Sequence, residues 1–302
     1  MFSYYTINHA GRIVHIIKAQ SDDNEDVQLS LMSLKYDDFD PMKLASLFYD
    51  SPVAGNSLEA DGWTKIGAVN GGIFNIPFAN GLEKSFWQDH EMADDYILDD
   101  VMAVGHYGGA NNGPVVDTQA AIRANGGSYR GAVTGAFGLM KGGSVVQGNT
   151  SRQGSYSSLS GRTIVGKDSS GAMYLIATPG VTGSSGLTGA QCLDLVQNVM
   201  GLSDAVCMDG GGSVSLIYQG VWKVSTNREV KNAFAIYVKA NGGGGGGGGV
   251  VVSGKKDSYT PTYESVMPHK IYIDGNLVDL VDIQIKTPNG MVSIIDDEVK
   301  GE

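Results

Sequence analysis

An aspartate that ends an apolar run and is followed by glycines is an arrangement with chemical uses beyond a turn. In "CMDGGGSVSLIYQG", Cys207 to Gly220, Asp209 precedes Gly210, Gly211 and Gly212, and Ser213 follows them. Backbone without side chains lets N–H groups come close to an anion. Other polar residues have similar surroundings. Asn70 ends "KIGAVN" and precedes Gly71 and Gly72, Arg162 and Thr163 open "RTIVGKD", and Arg228 precedes "NAFAIYVKA". Arginine presents a fork of donors matched to phosphate oxygens. A carboxylate beside an anomeric carbon stabilises an oxocarbenium-like transition state, or serves as nucleophile or base. Taken singly, each feature is more often a plain turn or a surface charge. Taken together, they suit a phosphorylated sugar.

The elements that must position these residues are mostly strands. "KIGAVNGG" is an apolar strand ending in Asn70, and "RTIVGKDSSGAMYLIATPG" is a hairpin with strands near Thr163–Lys167 and Met173–Thr178. "GLTGAQCLDLVQNVMG" is the clearest helix: Thr188 and Gln191 have capping-box spacing, Leu193, Val196, Val199 and Met200 share a face, and Gly201 stops it. The strand "DAVCM" then carries Asp209 at its end. "SVSLIYQGVWKV" reads as a second hairpin, and "NAFAIYVKA" as a closing strand with Phe234, Ile236 and Val238 on one side. The expected fold class is α/β to α+β, a mixed β-sheet core with few helices, plus a small β-rich C-terminal module.

Glycine fills every position from Gly242 to Gly249, a segment with no side chain to bury, and this predicts a flexible tether. It divides the chain into a main domain over 1–240, a linker over 241–253 and a module over 254–302. "HKIYIDGNLVDLVDIQIKTPNG" in the module alternates in strand fashion around "DG" and "NG" turns. The module is too short for much of a core and is expected to lean on a partner chain.

Composition excludes several function classes. The 302 residues are 42% hydrophobic and 18% charged, with a formal net charge of -11. So acidic a chain repels nucleic acid and anionic membranes. No apolar run approaches the roughly 20 residues that cross a bilayer. Cys192 and Cys207 make no disulfide framework, and the opening "MFSYYTINHAGRIVHIIKAQ" has no secretory pattern. "GVVVSGKK" has Lys256 where a phosphate loop needs a hydroxyl. "DDNEDV" has Val27 where a calcium loop needs glycine, and reads as an acidic surface loop. His9, His15, His90, His106 and His269 lack zinc-ligand spacing. No serine sits in a G-x-S-x-G elbow.

"AVNGGIFN", "GRTIVGKDSSGAMYLIATPG", "GLTGAQCLDLVQNVMGLSDAVCMDGGGSVSLIYQG" and "NREVKNAFAIYV" occur in an order that resembles the phosphodiester glycosidase family. The likeness is dense from Arg162 to Lys239 and returns near Asn70. It implies hydrolysis of a sugar-1-phosphodiester at the glycosidic C1–O bond. Asp209, Arg162, Arg228 and Asn70 are the implied catalytic residues, with Gly71, Gly72, Thr163, Gly210, Gly211, Gly212 and Ser213 as substrate contacts. Nucleophile, base and orienter of a sugar hydroxyl all remain open for Asp209. A phosphomonoester leaving group is weakly basic, so it needs little acid assistance, and cationic help from the arginines counts for more. No cofactor is implied, although a divalent cation near Asp209 is compatible with the residues. Two departures stand out: Gly161 replaces a proline usual in the family and loosens the local backbone, and Asn75 replaces a second aromatic.

The glycine tether, the β module and the opening without a secretory pattern point to a phage tail or virion protein trimming a surface polymer. Its partners would be a glycan or glycopolymer, and other virion proteins or a second copy through the C-terminal module. The expected location is the virion or the extracellular space without a signal peptide, and otherwise the cytoplasm. The rival reading is a non-catalytic glycan-binding protein, an adhesin or structural virion subunit on the same fold.

Overall fold

The structure, a computed structural model, describes residues 1–33, 58, 61–73, 82–84, 89–91, 102–107, 113–125, 128–146, 153–226 and 228–240. Toward the C-terminus it describes residues 270–273, 276–279, 284–287 and 290–293. The glycine tether, Asn75, Lys256 and His269 lie outside the described residues.

Strands β1 (Phe2–His9), β2 (Arg12–Ala19) and β3 (Glu25–Ser33) open the chain. Next come β4 (Thr64–Asn70), β5 (Leu82–Lys84), β6 (Asp89–Glu91), β7 (Met102–His106) and β8 (Val115–Thr118), then helix α1 (Gln119–Ala124). β9 (Gly131–Thr134), β10 (Phe137–Lys141) and β11 (Ser144–Val145) lead to helix α2 (Gln153–Ser157). The segment that carries most of the site runs through β12 (Arg162–Asp168), β13 (Met173–Thr178), helix α3 (Gly189–Asp194) and β14 (Leu202–Cys207). β15 (Leu216–Tyr218), β16 (Val221–Val224) and β17 (Asn232–Ala240) follow. Short strands β18 (Lys270–Ile273), β19 (Asn276–Asp279), β20 (Gln284–Thr287) and β21 (Gly290–Ser293) come last.

Two compact units result, Met1–Gly244 and Gly245–Glu302. The first holds three sheets with strand orders β1-β2-β13-β12-β14-β10-β11, β16-β15-β4-β17-β3 and β6-β5-β9-β7-β8. In the second, β18 pairs with β19 and β20 with β21, and the expected "DG" turn lies outside the described residues. The second hairpin closes with Thr287 opposite Gly290, so the glycine of its "NG" signal already belongs to the strand. The β-rich fold with few helices agrees with the sequence, and the strand pairings that build the three sheets are antiparallel.

Side-chain alternation explains how the layers join. Successive residues of a strand point to opposite faces. In the seven-stranded sheet Ile17, Val165, Leu175 and Val206 face a core shared with Leu29, Val69, Phe234 and Val133 of the other two sheets. Their neighbours Ile16, Ile164, Ile176 and Cys207 face a second core under α3. β17 divides likewise: Phe234, Ile236 and Val238 enter the shared core, while Ala233, Ala235 and Tyr237 form another cluster. Each fully buried aliphatic side chain contributes about 1.5–3 kcal/mol by leaving water. Both faces of these central strands are therefore committed, and only strand ends remain for a site.

α3 begins as the capping box requires. Thr188 Oγ1 accepts a hydrogen bond from Gln191 N at 3.3 Å, and Gln191 Oε1 accepts one from Thr188 N at 2.9 Å. Its continuation, Leu195–Val199, is one wide π turn closed by Met200 N donating to Leu195 O at 3.0 Å. The widening delays the phase, so Cys192, Leu195 and Val196 are buried while Val199, expected on the apolar face, is 56% exposed. The acidic stretch is also less of a loop than expected. Asp22 accepts from Asn24 N and Glu25 N, and β3 begins at Glu25.

His106, at the end of β7, is buried and accepts a hydrogen bond from Leu31 N on its Nε2 at 3.0 Å. Burial, helped by the charge of Arg130, lowers its pKa to about 3. An unfolded chain takes up this proton near pH 6.5, so stability attributable to His106 is full above that pH and declines toward pH 3. Urea unfolding of wild type should lose up to about 1.4 kcal/mol per pH unit more in this window than His106→Gln. Parallel stability curves for the two proteins would remove His106 from the acid response.

Candidate active site

Antiparallel pairing brings the marked residues to one place. Arg162 starts β12, and the neighbouring β14 runs the other way, with Cys207 opposite Ile164. The beginning of one strand thus lies beside the end of the other, where Asp209 emerges. In the second sheet Asn70 ends β4 opposite Ala233, near the start of β17, and Arg228 lies just before that strand.

Backbone and amide contacts stitch the two sheet ends together. Asn70 Nδ2 donates to the carbonyl of Asp209 at 2.8 Å. Its Oδ1 accepts from Thr163 Oγ1 at 2.6 Å and from Ser215 N at 3.1 Å. Asp209 N donates to Gly71 O at 2.9 Å, and Met208 N to Thr163 O at 2.8 Å. Asn70 and Thr163 are fully buried, so their side chains act on the site by holding Asp209. They lie behind the cavity and not in its lining.

Gly71 and Gly72, expected to touch substrate, serve the same joint. Gly71 N donates to Asn232 O and Gly72 N to Asn232 Oδ1, at 2.9 and 2.8 Å. A Cβ at Gly71 would stand 2.0 Å from Asn232 Oδ1, and one at Gly72 would stand 2.2 Å from Thr134 O. Only glycine lets the segment lie this close. Asn232 escaped the sequence reading because it looked like the first residue of a strand.

A cavity of about 220 Å³ opens at this junction, lined by Asp209, Gly210, Gly211, Gly212, Arg162 and Arg228, with Ile73 and Ala136 as apolar lining. That is below the roughly 300–1,000 Å³ of drug-sized pockets and suits one small group. Ser155, Ser158, Ser160 and Thr182 add hydroxyl groups to the lining. None of these hydroxyl residues was expected, although "SYSSLSGR" is dense in serine just before Arg162.

The glycine run after Asp209 answers a packing demand. A Cβ at Gly210 would lie 2.5 Å from Gly161 O, and Gly211 has φ +60 with Thr182 Oγ1 2.7 Å from where a Cβ would be. Gly210 N donates to Asp209 Oδ1 at 3.0 Å, and Gly211 N donates to Gly161 O at 3.0 Å. Those two amides are occupied within the protein, so the run shapes the cavity more than it cradles an anion. Gly161, expected to loosen the backbone, is confined, with Gly180 N and Gly211 O each 3.0 Å from a Cβ built on it.

Electrostatics single out Asp209. Burial raises its pKa above the usual carboxylate range, opposed by Ser213, by the positive charge of Arg228 and by the amide of Gly210. Ser213 is fully buried; its Oγ acts on the carboxylate but makes no hydrogen bond of ordinary geometry. Arg228 is exposed at the cavity mouth, whereas Arg162 is 4% exposed in its interior. Among the described residues no group of three His, Cys, Asp or Glu side chains gathers to hold a metal. No helix among them is long and apolar enough to cross a membrane.

A sequence profile of the family described as phosphodiester glycosidase matches residues 64–237, more than half the chain and the whole span from Asn70 to Arg228. Among solved structures, the fold resembles zebrafish N-acetylglucosamine-1-phosphodiester alpha-N-acetylglucosaminidase, in a form of its catalytic domain auto-inhibited by pro-peptide. The TM-score is 0.56 at 15% identity, over 78% of this chain and 82% of that one. A hypothetical protein from Synechocystis is similar at TM-score 0.53 and 14% identity, over 79% of this chain and 62% of that one. No curated protein matches the chain.

Removing the Asn70 amide would leave Thr163 Oγ1 and Ser215 N without their acceptor and the Asp209 carbonyl without its donor. Asn70→Ala should therefore lower unfolding stability by about 2–4 kcal/mol, since each buried group left unsatisfied costs about 1–3 kcal/mol. Chemical denaturation reads this directly, and a loss under about 0.5 kcal/mol, the range of ordinary surface changes, would deny Asn70 its place in the joint.

Proposed function

The chain belongs to the phosphodiester glycosidase family, and from that premise we propose that it hydrolyses the glycosidic C1–O bond of a sugar-1-phosphodiester. The observation that carries the reading is the half-buried carboxylate of Asp209 in a small cavity that it shares with two arginines. Water adds to C1, the C1–O electron pair leaves with the phosphate oxygen, and the products are a reducing sugar and a phosphomonoester. A carboxylate with a raised pKa is a stronger base than an ordinary aspartate, so Asp209 takes the proton from the attacking water. The leaving phosphomonoester is stable as an anion and needs no second carboxylate to protonate it. Positive charge from Arg228 and Arg162 supports the phosphate as negative charge builds on its bridging oxygen.

The polymer-trimming setting extends this reading. The glycine tether and the C-terminal β module support a virion-borne enzyme that acts on a host surface glycopolymer, with the module contacting other virion proteins or a second copy.

A screen of sugar-1-phosphate methyl diesters and bacterial surface polymers, scored for reducing sugar and new phosphomonoester, tests the activity. Asp209→Asn should cut turnover about 10²–10⁴-fold, the span of general-base catalysis, while glycan binding persists. Wild type that binds glycans and releases no sugar from any phosphodiester would favour the binding-protein reading instead.

The pH profile tests the role of Asp209. Its acid limb in kcat/KM should lie above the ordinary aspartate value of about 3.9. Ser213→Ala should move the limb to higher pH, because Ser213 lowers the Asp209 pKa. A limb at the ordinary carboxylate position, unmoved by Ser213→Ala, would exclude Asp209 as the base.

A further inference from the structure

Two hydroxyls in the cavity lining are bonded to each other. Ser160 Oγ and Thr182 Oγ1 lie 3.0 Å apart, and among the described residues neither has a further hydrogen-bond partner. A hydroxyl has one proton to give and two lone pairs to offer. Whichever of the two donates within the pair, the other keeps its proton, and lone pairs remain on both. The pair thus presents a ligand with a donor and an acceptor side by side, and with no charge.

Main-chain contacts set the pair in place. Ser160 precedes β12 and Thr182 follows β13, so the antiparallel pairing of these strands returns one residue to the other. Ser160 exchanges backbone hydrogen bonds of 3.3 and 2.9 Å with Leu187, and Gly183 N donates to Leu159 O at 2.7 Å. Arg162 braces the same turn: its Nε donates to Leu187 O at 2.8 Å, and its Nη2 to Ser155 O at 2.7 Å and to Ser158 O. Ser160 is buried and Thr182 exposed, so the pair reaches from the interior of the cavity to its surface. Its hydroxyls are positioned before any ligand arrives.

The pair also stands against the residues that follow Asp209. A Cβ at Gly211 would lie 2.7 Å from Thr182 Oγ1 and 3.5 Å from Ser160 Oγ, and one at Gly210 would lie 3.8 Å from Ser160 Oγ. The Asp209 carboxylate accepts from Gly210 N at 3.0 Å. Carboxylate and hydroxyl pair therefore flank the same two glycines. A sugar with its C1 facing Asp209 brings the substituent of the next ring carbon to the pair.

We propose that Ser160 and Thr182 determine sugar specificity by hydrogen-bonding the hydroxyl on C2, which makes the substrate class 2-hydroxy sugars. This deepens the phosphodiester reading and rests on it for the placement of C1. A hydroxyl is a single oxygen that both gives and accepts. It takes the spare proton of the pair and donates to the neighbouring lone pair, closing a ring of three hydrogen bonds. An acetamido group carries its donor and acceptor on different atoms and does not close that ring. A 2-deoxy sugar leaves the pair unanswered, a loss that sites built for a hydroxyl penalise strongly. Hydrogen bonds to the 2-hydroxyl also strengthen as charge develops at C1, so the pair acts on rate as well as on binding.

The test uses the methyl diesters of glucose and galactose 1-phosphate, with their 2-deoxy and 2-acetamido counterparts, in steady-state kinetics of the full chain. The matching 1-phosphates serve as probes in calorimetric titration. A 2-deoxy sugar has its own higher reactivity at C1, so the measure is the ratio of kcat/KM between 2-hydroxy and 2-deoxy substrates, compared across variants. That ratio should fall about 10-fold in Ser160→Ala and in Thr182→Val, the scale of one coupled hydrogen bond. A ratio unchanged within about 2-fold in either folded variant would overturn the proposal, as would a 2-acetamido diester that wild type hydrolyses faster than its 2-hydroxy counterpart. If Ser160→Ala does not fold, Thr182→Val decides, because Thr182 is exposed. Turnover with no such coupling removes the pair from specificity and leaves the hydrolase reading standing. The same 10-fold coupling in binding of the 1-phosphates, in a protein that turns over no diester, keeps the subsite and discards hydrolysis. Wild type that neither binds nor hydrolyses any of these sugars would overturn the proposal.

Discussion

The site depends on one buried amide. Asn70 ends a central strand of one sheet, and its side chain holds the carbonyl of Asp209, which follows a central strand of another. The same amide accepts from Thr163 and from the backbone of Ser215, so three separate segments meet at it. A buried amide in this position is strongly constrained, because any of these groups left unpaired would carry its full desolvation cost. The joint therefore fixes not only that the sheets meet but also the height and orientation at which the carboxylate enters the cavity.

Around that joint, glycine and asparagine do complementary work. Asn232 receives the amides of Gly71 and Gly72 with its two oxygens, and those glycines have no room for a side chain. On the other side Gly210 lies against Gly161, backbone to backbone. Close approach of main chain to main chain leaves the glycine-lined part of the cavity with few rotatable atoms. Such rigidity suits a reaction whose barrier depends on holding one carboxylate and one anion in register.

The two cores explain why the site could form only where it does. Central strands are apolar on both faces, one committed to the core between sheets and the other to α3 or a satellite cluster. Polar groups placed mid-strand would be stranded in those cores, so they collect where strands end. Asp209 sits just far enough inside for burial to lift its pKa, while Arg228 at the mouth holds part of that shift back. Burial and a nearby cation thus oppose each other on one carboxyl, and both follow from its place at a strand terminus.

Much of this was legible from the amino-acid order. Strand alternation located β4, β12, β13 and β17, the Thr188–Gln191 pair located the start of α3, and the polar residues beside glycines located the corner of the site. These features are local, because side-chain period and turn chemistry act within a few residues. What neighbours demand of one another over long separations was not legible. Nothing in "NAFAIYV" says that Asn232 will hold Gly71 and Gly72, and nothing in "SYSSLSGR" says that Arg162 will turn back onto the carbonyls of its own upstream segment. The sequence by itself marked several of the strands and the polar residues at their ends. Only the tertiary structure decided which of those polar groups face the cavity and which are consumed in holding it together, because hydrogen-bond partners far apart in the chain are chosen by packing and not by spacing.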